Sequence, residues 1–142
     1  MLLMRHEWAS PRLLFRCGAT ELDAVKIATR MADLIVIEQQ QASPQMGRGG
    51  AFMLGLSVGM IEGVVMVMAR CEPIRVMPSV WRPAFGIGGG AVGKEAGLVL
   101  AHQLLERPDE RALIARHDEA DAVLLAWWGW RHVLLPTLEA VA

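Results

Sequence analysis

The hydrophobic pattern of the chain is anchored by one short stretch. Leu34-Ile35-Val36-Ile37 is an unbroken aliphatic run of strand length, and it stops abruptly at Glu38-Gln39-Gln40-Gln41. Consecutive aliphatic residues with no alternation predict a strand covered on both faces, as in parallel sheets layered with helices. Ahead of it, Thr20-Glu21-Leu22-Asp23 reads as a helix start with an acidic third helical position, and Leu22, Val25, Ile27 and Met31 come after it with roughly helical spacing to about Ala32. Two shorter apolar runs, Met1 to Met4 and Leu13 to Phe15, predict a hairpin over residues 1–18. Gln39 to Gly50, with Ser43-Pro44 and Gly47-Arg48-Gly49-Gly50, reads as a loop.

Residues 51–69 are the most apolar part of the chain, interrupted by Ser57 and Glu62, and Gly55, Gly59 and Gly63 fall every fourth position. A helix here carries a flat glycine stripe that lets another helix approach closely. It is just long enough to span a bilayer. Placing Glu62 in hydrocarbon costs about 2.5–3.5 kcal/mol if it behaves like Asp, against about 0.3–0.6 kcal/mol gained per large aliphatic residue, so the balance is near zero. A buried or subunit-contacting helix is the preferred reading. Pro73 to Met77 predicts a second short strand, Ser79 to Arg82 a short helix, Lys94 to Glu106 a helix ended by Arg107 to Asp109, and about Asp118 to Trp130 a last helix. The residues after Pro136 carry no pattern, and 133–142 are read as a tail.

Composition narrows the class. The 142 residues suit one domain with a real core, and the apolar fraction of 54% with a mean hydropathy of +0.34 is high for a soluble protein. The net charge of −1 offers no bulk positive field to steer nucleic acid. Among the 14 basic residues only Lys26 and Lys94 are lysines, and arginine is the better bidentate phosphate ligand. Cys17 and Cys71 are far apart, which points to thiols in a reducing compartment. No charged-then-apolar leader opens the chain, so a cytoplasmic location is expected.

Candidate chemistry gathers at carboxylates. Glu38 ends a strand, at the edge where open α/β sheets place ligands, although a solvent-facing cap is the plain alternative. Asp118 and Asp121 are three apart and His117 is four from Asp121, so they share one face of a first helical turn. Acids also suit a helix N-terminus for dipole reasons alone. A strand-ending Glu and an Asp-x-x-Asp helix can converge on one or two hard cations. Mg²⁺ wants such oxygen ligands, and a metal pair can activate water for phosphodiester hydrolysis. Gly88 to Lys94 formally matches a phosphate loop, but Glu95 replaces the expected hydroxyl and no strand precedes it; a flexible connector is the better reading, with Lys94 available to a phosphate at the helix start. Trp127, Trp128 and Trp130 fit packing or a subunit contact better than base stacking.

Several pieces together resemble a known family. Ile35-Val-Ile-Glu38-Gln39-Gln40-Gln41-Ala42, the glycine-striped Phe52-Met-Leu-Gly55 and Gly59 helix, Pro78-Ser-Val-Trp81-Arg82, Gly93-Lys94-Glu95-Ala96 and Asp118-Glu-Ala-Asp121-Ala122 with Leu124-Leu125-Ala126 look like the RuvC Holliday junction resolvases, especially their phage-type relatives, over residues 21–132 and in the right order. The resemblance implies a single RNase H-like domain over 1–142, an α/β fold with a mixed sheet flanked by helices, and a homodimer through the helix at 52–68 rather than a membrane span. It implies Mg²⁺-dependent nicking of four-way junctions and other branched DNA, with Mn²⁺ as a substitute. Glu38, Asp118 and Asp121 would be the metal ligands, His117 a further one, and Lys94 a neighbour of the scissile phosphate.

Two departures qualify the resemblance. The family opens with a strand reading apolar-Ile-Asp-x-Gly whose Asp bridges both metals, and nothing in residues 1–20 matches it; Glu7 is the nearest acid. An amino-terminally truncated frame, or a relative that has lost this ligand, is the resulting expectation. Gln41 stands where relatives often carry an aromatic or basic wedge. The competing readings are a non-catalytic dimeric DNA-binding relative and a small membrane protein using the glycine-striped helix.

Overall fold

The computed structural model describes Thr29, Arg30 and residues 32–141. The hairpin predicted over 1–18 lies outside them, together with Glu7, Cys17 and nearly all of the predicted helix over 20–32, of which Thr29 and Arg30 are helical. The elements are β1 (Val36–Glu38), α1 (Arg48–Met68), β2 (Ile74–Val76), α2 (Pro78–Trp81), a 3₁₀ turn (Pro83–Phe85), α3 (Gly90–Leu104), α4 (Pro108–Ala112), α5 (His117–Gly129), a π-helical turn (Trp130–Leu134) and α6 (Leu135–Val141).

This architecture corrects the expected RNase H-like mixed sheet flanked by helices. Among the described residues the chain is mostly helical, and its sheet has two parallel strands of three residues each. The reason is local. Aliphatic runs long enough to pair, bounded by residues that stop pairing, occur at 34–37 and 74–76. The other apolar stretches among the described residues are rich in Ala, Leu, Met and Gly at helical spacing, and they form helices.

β1, α1 and β2 form a strand–helix–strand unit, because two parallel strands need a long crossover and α1 supplies it. The register pairs Val36 with Ile74, Ile37 with Arg75 and Glu38 with Val76, and the ladder is extended by Ile74 N–H to Ile35 O and Gln39 N–H to Val76 O, both 2.9 Å. β1 is covered on both sides, as its pattern predicts. Leu34 and Val36 enter the main core with Trp81, Val123, Leu124 and Ala126, whereas Ile35 turns the other way to Ala32 and Val65. Beside that smaller cluster, burial pushes the Cys71 thiol pKa up from its ordinary value.

α3 and α5 pack together over the main core. Gly97 sits where an added Cβ would lie 3.7 Å from a Leu124 methyl, and a Cβ on Gly93 would collide with the Gly88 carbonyl. The glycine run is therefore a folded entry to α3, with Gly86 and Gly90 at φ 67° and 75°, and α3 begins four residues before the predicted start at Lys94. The predicted tail is also helical, continuing α5 through the π turn into α6.

α1 has two apolar faces. Leu54, Val58, Ile61 and Val65 turn inward, Val65 being fully buried. Phe52, Met53, Leu56, Met60, Met66 and Val67 lie on the opposite face and are exposed by 41–81%. Among the described residues it is one helix long and apolar enough to cross a membrane.

Candidate acidic pocket

Parallel pairing puts the carboxyl ends of β1 and β2 at one edge, and this places Glu38 within reach of the segment leaving β2. Pro78 opens α2 two residues beyond the strand, and one turn later Trp81 is fully buried beneath the edge. Its indole Nε1–H donates to Glu38 Oε2 at 2.9 Å, while Gln40 Nε2 donates to Oε1 at 2.5 Å. The strand-ending carboxylate is thus held in place rather than left to solvent.

From the other side comes the first turn of α5. Its entry is fixed by Glu119, a nearly buried residue whose carboxylate accepts from the backbone N–H groups of Ala115 and Arg116 at 2.8 and 2.9 Å and from Arg116 Nε at 2.9 Å. A third-position Glu that reaches back in this way satisfies donors that a helix start would leave unpaired. With Glu119 turned backward, Asp118 and Asp121 face elsewhere. Both line a pocket of about 270 Å³ together with Glu38 and Gln40, and Val58 and Ile61 of α1 form part of its apolar wall.

Each acid is engaged by a neighbouring side chain, and Arg82 and Arg116 themselves lie outside the pocket's lining. Arg82, the residue after α2, donates from Nη2 to Asp121 Oδ2 at 2.6 Å, with both side chains about 30% exposed (27% and 32%). Its guanidinium carbon lies 5.3 Å from the centroid of the Trp81 ring, and its Nε is buried with no acceptor. Asp118 pairs with Arg116 at 2.8 Å, with the aspartate side chain 71% exposed. One dipeptide, Trp81-Arg82, therefore holds Glu38 and Asp121, while Asp118 is held by Arg116.

The sequence candidates divide accordingly. Glu38, Asp118 and Asp121 are brought to one pocket; His117 and Lys94 are not part of its lining. His117 Nδ1 lies 3.2 Å from the Lys94 carbonyl oxygen, a hydrogen bond in the tautomer protonated at Nδ1. Because α3 starts at Gly90, Lys94 sits one turn inside the helix and not at its amino end. The donor chemistry suits a hard cation, since carboxylates dominate and no thiol or imidazole intrudes. The spacing does not fit one as the acids are held: among the described residues no group of three or more His, Cys, Asp or Glu side chains is placed to share an ion.

Sequence reasoning assigned no role to Arg82, Trp81 or Gln40. The available signal was an adjacent Trp and Arg directly after an apolar strand and a proline, a place from which side chains return to the strand edge. Compared with known proteins, the chain matches no family model and no curated protein.

Proposed function

We propose that the chain is a divalent-cation-dependent endonuclease of branched DNA that works at the pocket between β1, α1 and α5, and that it acts as a homodimer through the outer face of α1. The observation that carries this reading is the convergence of Glu38 with Asp118 and Asp121, which are remote in sequence, on one partly apolar pocket. The motif order that resembles the RuvC resolvases supports the choice of substrate. Mg²⁺ is the cation such an oxygen-rich pocket prefers, with Mn²⁺ able to replace it.

The chain's own residues supply position and shape. Trp81 and Gln40 fix the Glu38 carboxylate, Glu119 sets the angle at which Asp118 and Asp121 enter, and Val58 and Ile61 make one wall apolar. With a net charge of −1, affinity for DNA has to come from local contacts and not from a general positive field. The exposed apolar residues on the outer side of α1 favour a second copy of the chain as their cover, and a cytoplasmic location goes with this reading.

The test is nicking of a synthetic four-way junction by the purified full chain in Mg²⁺ or Mn²⁺. Glu38→Gln is expected to lower the nicking rate by at least about a hundredfold while leaving junction binding within a few-fold. Junction binding without nicking in either cation, unaffected by Glu38→Gln, would instead support the non-catalytic DNA-binding alternative and remove the nuclease.

A further inference from the structure

The space beside the acids is chiefly apolar. β1 brings Val36 and Ile37 to it, α1 brings Val58 and Ile61, and α5 brings Ala122 and Leu125, so aliphatic side chains from three elements enclose about 270 Å³. This volume lies just below the roughly 300–1,000 Å³ of pockets that hold drug-sized ligands, which suits one ring system and not a chain of several. Flat rings gain dispersion contact on both faces between such walls, and bases taken out of a duplex are held in this way.

The polar groups of the lining are mainly acceptors. Glu38 takes its donors from Trp81 and from one amide hydrogen of Gln40. Arg82 and Arg116 meet Oδ2 of Asp121 and of Asp118 from outside the lining, which leaves Oδ1 of each aspartate without a donor among the described residues. With two of the three charges balanced by these arginines, the pocket offers acceptor oxygens more than bare charge. A phosphate finds little there to bind it, whereas a neutral ring bearing an amino group finds acceptors for its N–H bonds and aliphatic cover for its faces.

We propose that the pocket receives one unstacked DNA base that carries an exocyclic amino group, with the ring between the aliphatic side chains and the amino group donating to the carboxylates. The proposal rests on the reading of the protein as a nuclease of branched DNA. Carboxylates accept from the cytosine amino group in the same sense when they read base edges. Removing a base from its stack costs least where pairing and stacking are already broken, as at a branch point, so the pocket favours junctions over continuous duplex.

The experiment uses the full chain in EDTA, first with free nucleosides followed by ligand-observed NMR. Adenosine and cytidine are expected to saturate the chain below about 10 mM. Purine riboside, which lacks the amino group, is expected to bind about tenfold more weakly. Ala122→Leu fills the pocket from α5 and is expected to remove nucleoside binding; Val58→Phe fills it from α1 and serves if the first variant does not fold. In a four-way junction, 2-aminopurine at the branch point is expected to brighten about threefold or more when the parent chain binds, and not when a filled variant binds. Equal binding of adenosine and purine riboside, equal binding of butylamine and adenosine, no saturable nucleoside binding, or binding unchanged in both filled variants would overturn the proposal. Nucleoside binding with no 2-aminopurine response would overturn the assignment to a DNA base. Junction nicking in Mg²⁺ is scored separately: nicking without amino-group discrimination keeps the nuclease and removes the base pocket, whereas discrimination and a 2-aminopurine response without nicking keep the base pocket and remove the nuclease.

Discussion

At Gly129 helix α5 packs directly on the side chains of Leu34 and Val36, and replacing it with alanine tests the packing that positions Glu38. Gly129 is the last residue of α5 and is buried against β1. A Cβ built there would lie 3.1 Å from a Leu34 methyl and would collide with Val36 Cγ2. Val36 is paired with Ile74 in the sheet, two residues before Glu38, and a β-branched side chain on a strand has little rotamer freedom with which to escape. Alanine also brings a helix-propensity gain of about 0.8–1 kcal/mol over glycine. Overpacking a tight core costs about 1–3 kcal/mol, and the severity of this collision puts the cost in the upper half of that range. The expected net loss is about 1–2 kcal/mol. For a urea slope of about 2 kcal/mol/M, the denaturation midpoint falls by about 0.5–1 M at unchanged slope. A Gly129→Ala chain with the parent midpoint or a higher one would show that α5 does not rest closely on β1.

Two other substitutions probe neighbouring features. Gly59→Ala adds a methyl to open space on the outer side of α1, where nothing lies within 4 Å. It is expected to stabilise an isolated chain by up to about 1 kcal/mol but to weaken the proposed dimer about tenfold or more in sedimentation equilibrium. An unchanged dimer constant would exclude the glycine stripe as the contact. Glu119→Ala strips the acceptor from two backbone N–H groups and Arg116 at the start of α5 and is expected to cost about 2–3 kcal/mol, lowering the melting temperature by about 5–10 °C. A shift below about 2 °C would mean that water replaces the carboxylate at little cost.

What the sequence revealed depended on whether a pattern was local. The strand ending at Glu38 was legible because Leu34 to Ile37 admit one explanation, burial on both faces, and the two core clusters divide these residues accordingly. The extent of sheet was not legible, because the expectation of a mixed sheet came from resemblance and not from strand-like runs; such runs supply two strands among the described residues. Asp118 and Asp121 could be placed on one helical turn from their spacing. Glu119 lies between them and reads as a third member of the same acidic group, yet it turns back to the helix start, and only the placement of Ala115 and Arg116 reveals this. Arg82 was hidden for a related reason. Its partner Asp121 is a long-range neighbour, and no periodicity within one element encodes such a pairing.

The apolarity of α1 shows how two readings of one helix separate once its neighbours are known. By composition alone insertion of residues 51–69 into a bilayer is close to neutral, because the cost of Glu62 roughly cancels the aliphatic gain, and a buried or subunit-contacting helix is the preferred reading. In the structure Glu62 is paired with Arg75 of β2 at 2.9 Å, and the carboxylate raises the arginine's already high pKa. On the same inner side Val65 is sealed against Ala32 and Ile35, and Val58 and Ile61 line the acidic pocket. A lipid-surrounded α1 would have to give up these contacts and carry Glu62 into hydrocarbon without Arg75, which turns a near-zero balance unfavourable. A second copy of the chain needs none of this: it would cover Phe52, Leu56, Met60 and Met66 on the opposite side and leave the pocket wall where it is. The proposed self-association would keep the inner contacts of α1 in place, and it carries the expectation that the chain is recovered in the soluble fraction without detergent; recovery only with detergent would favour the membrane reading of α1.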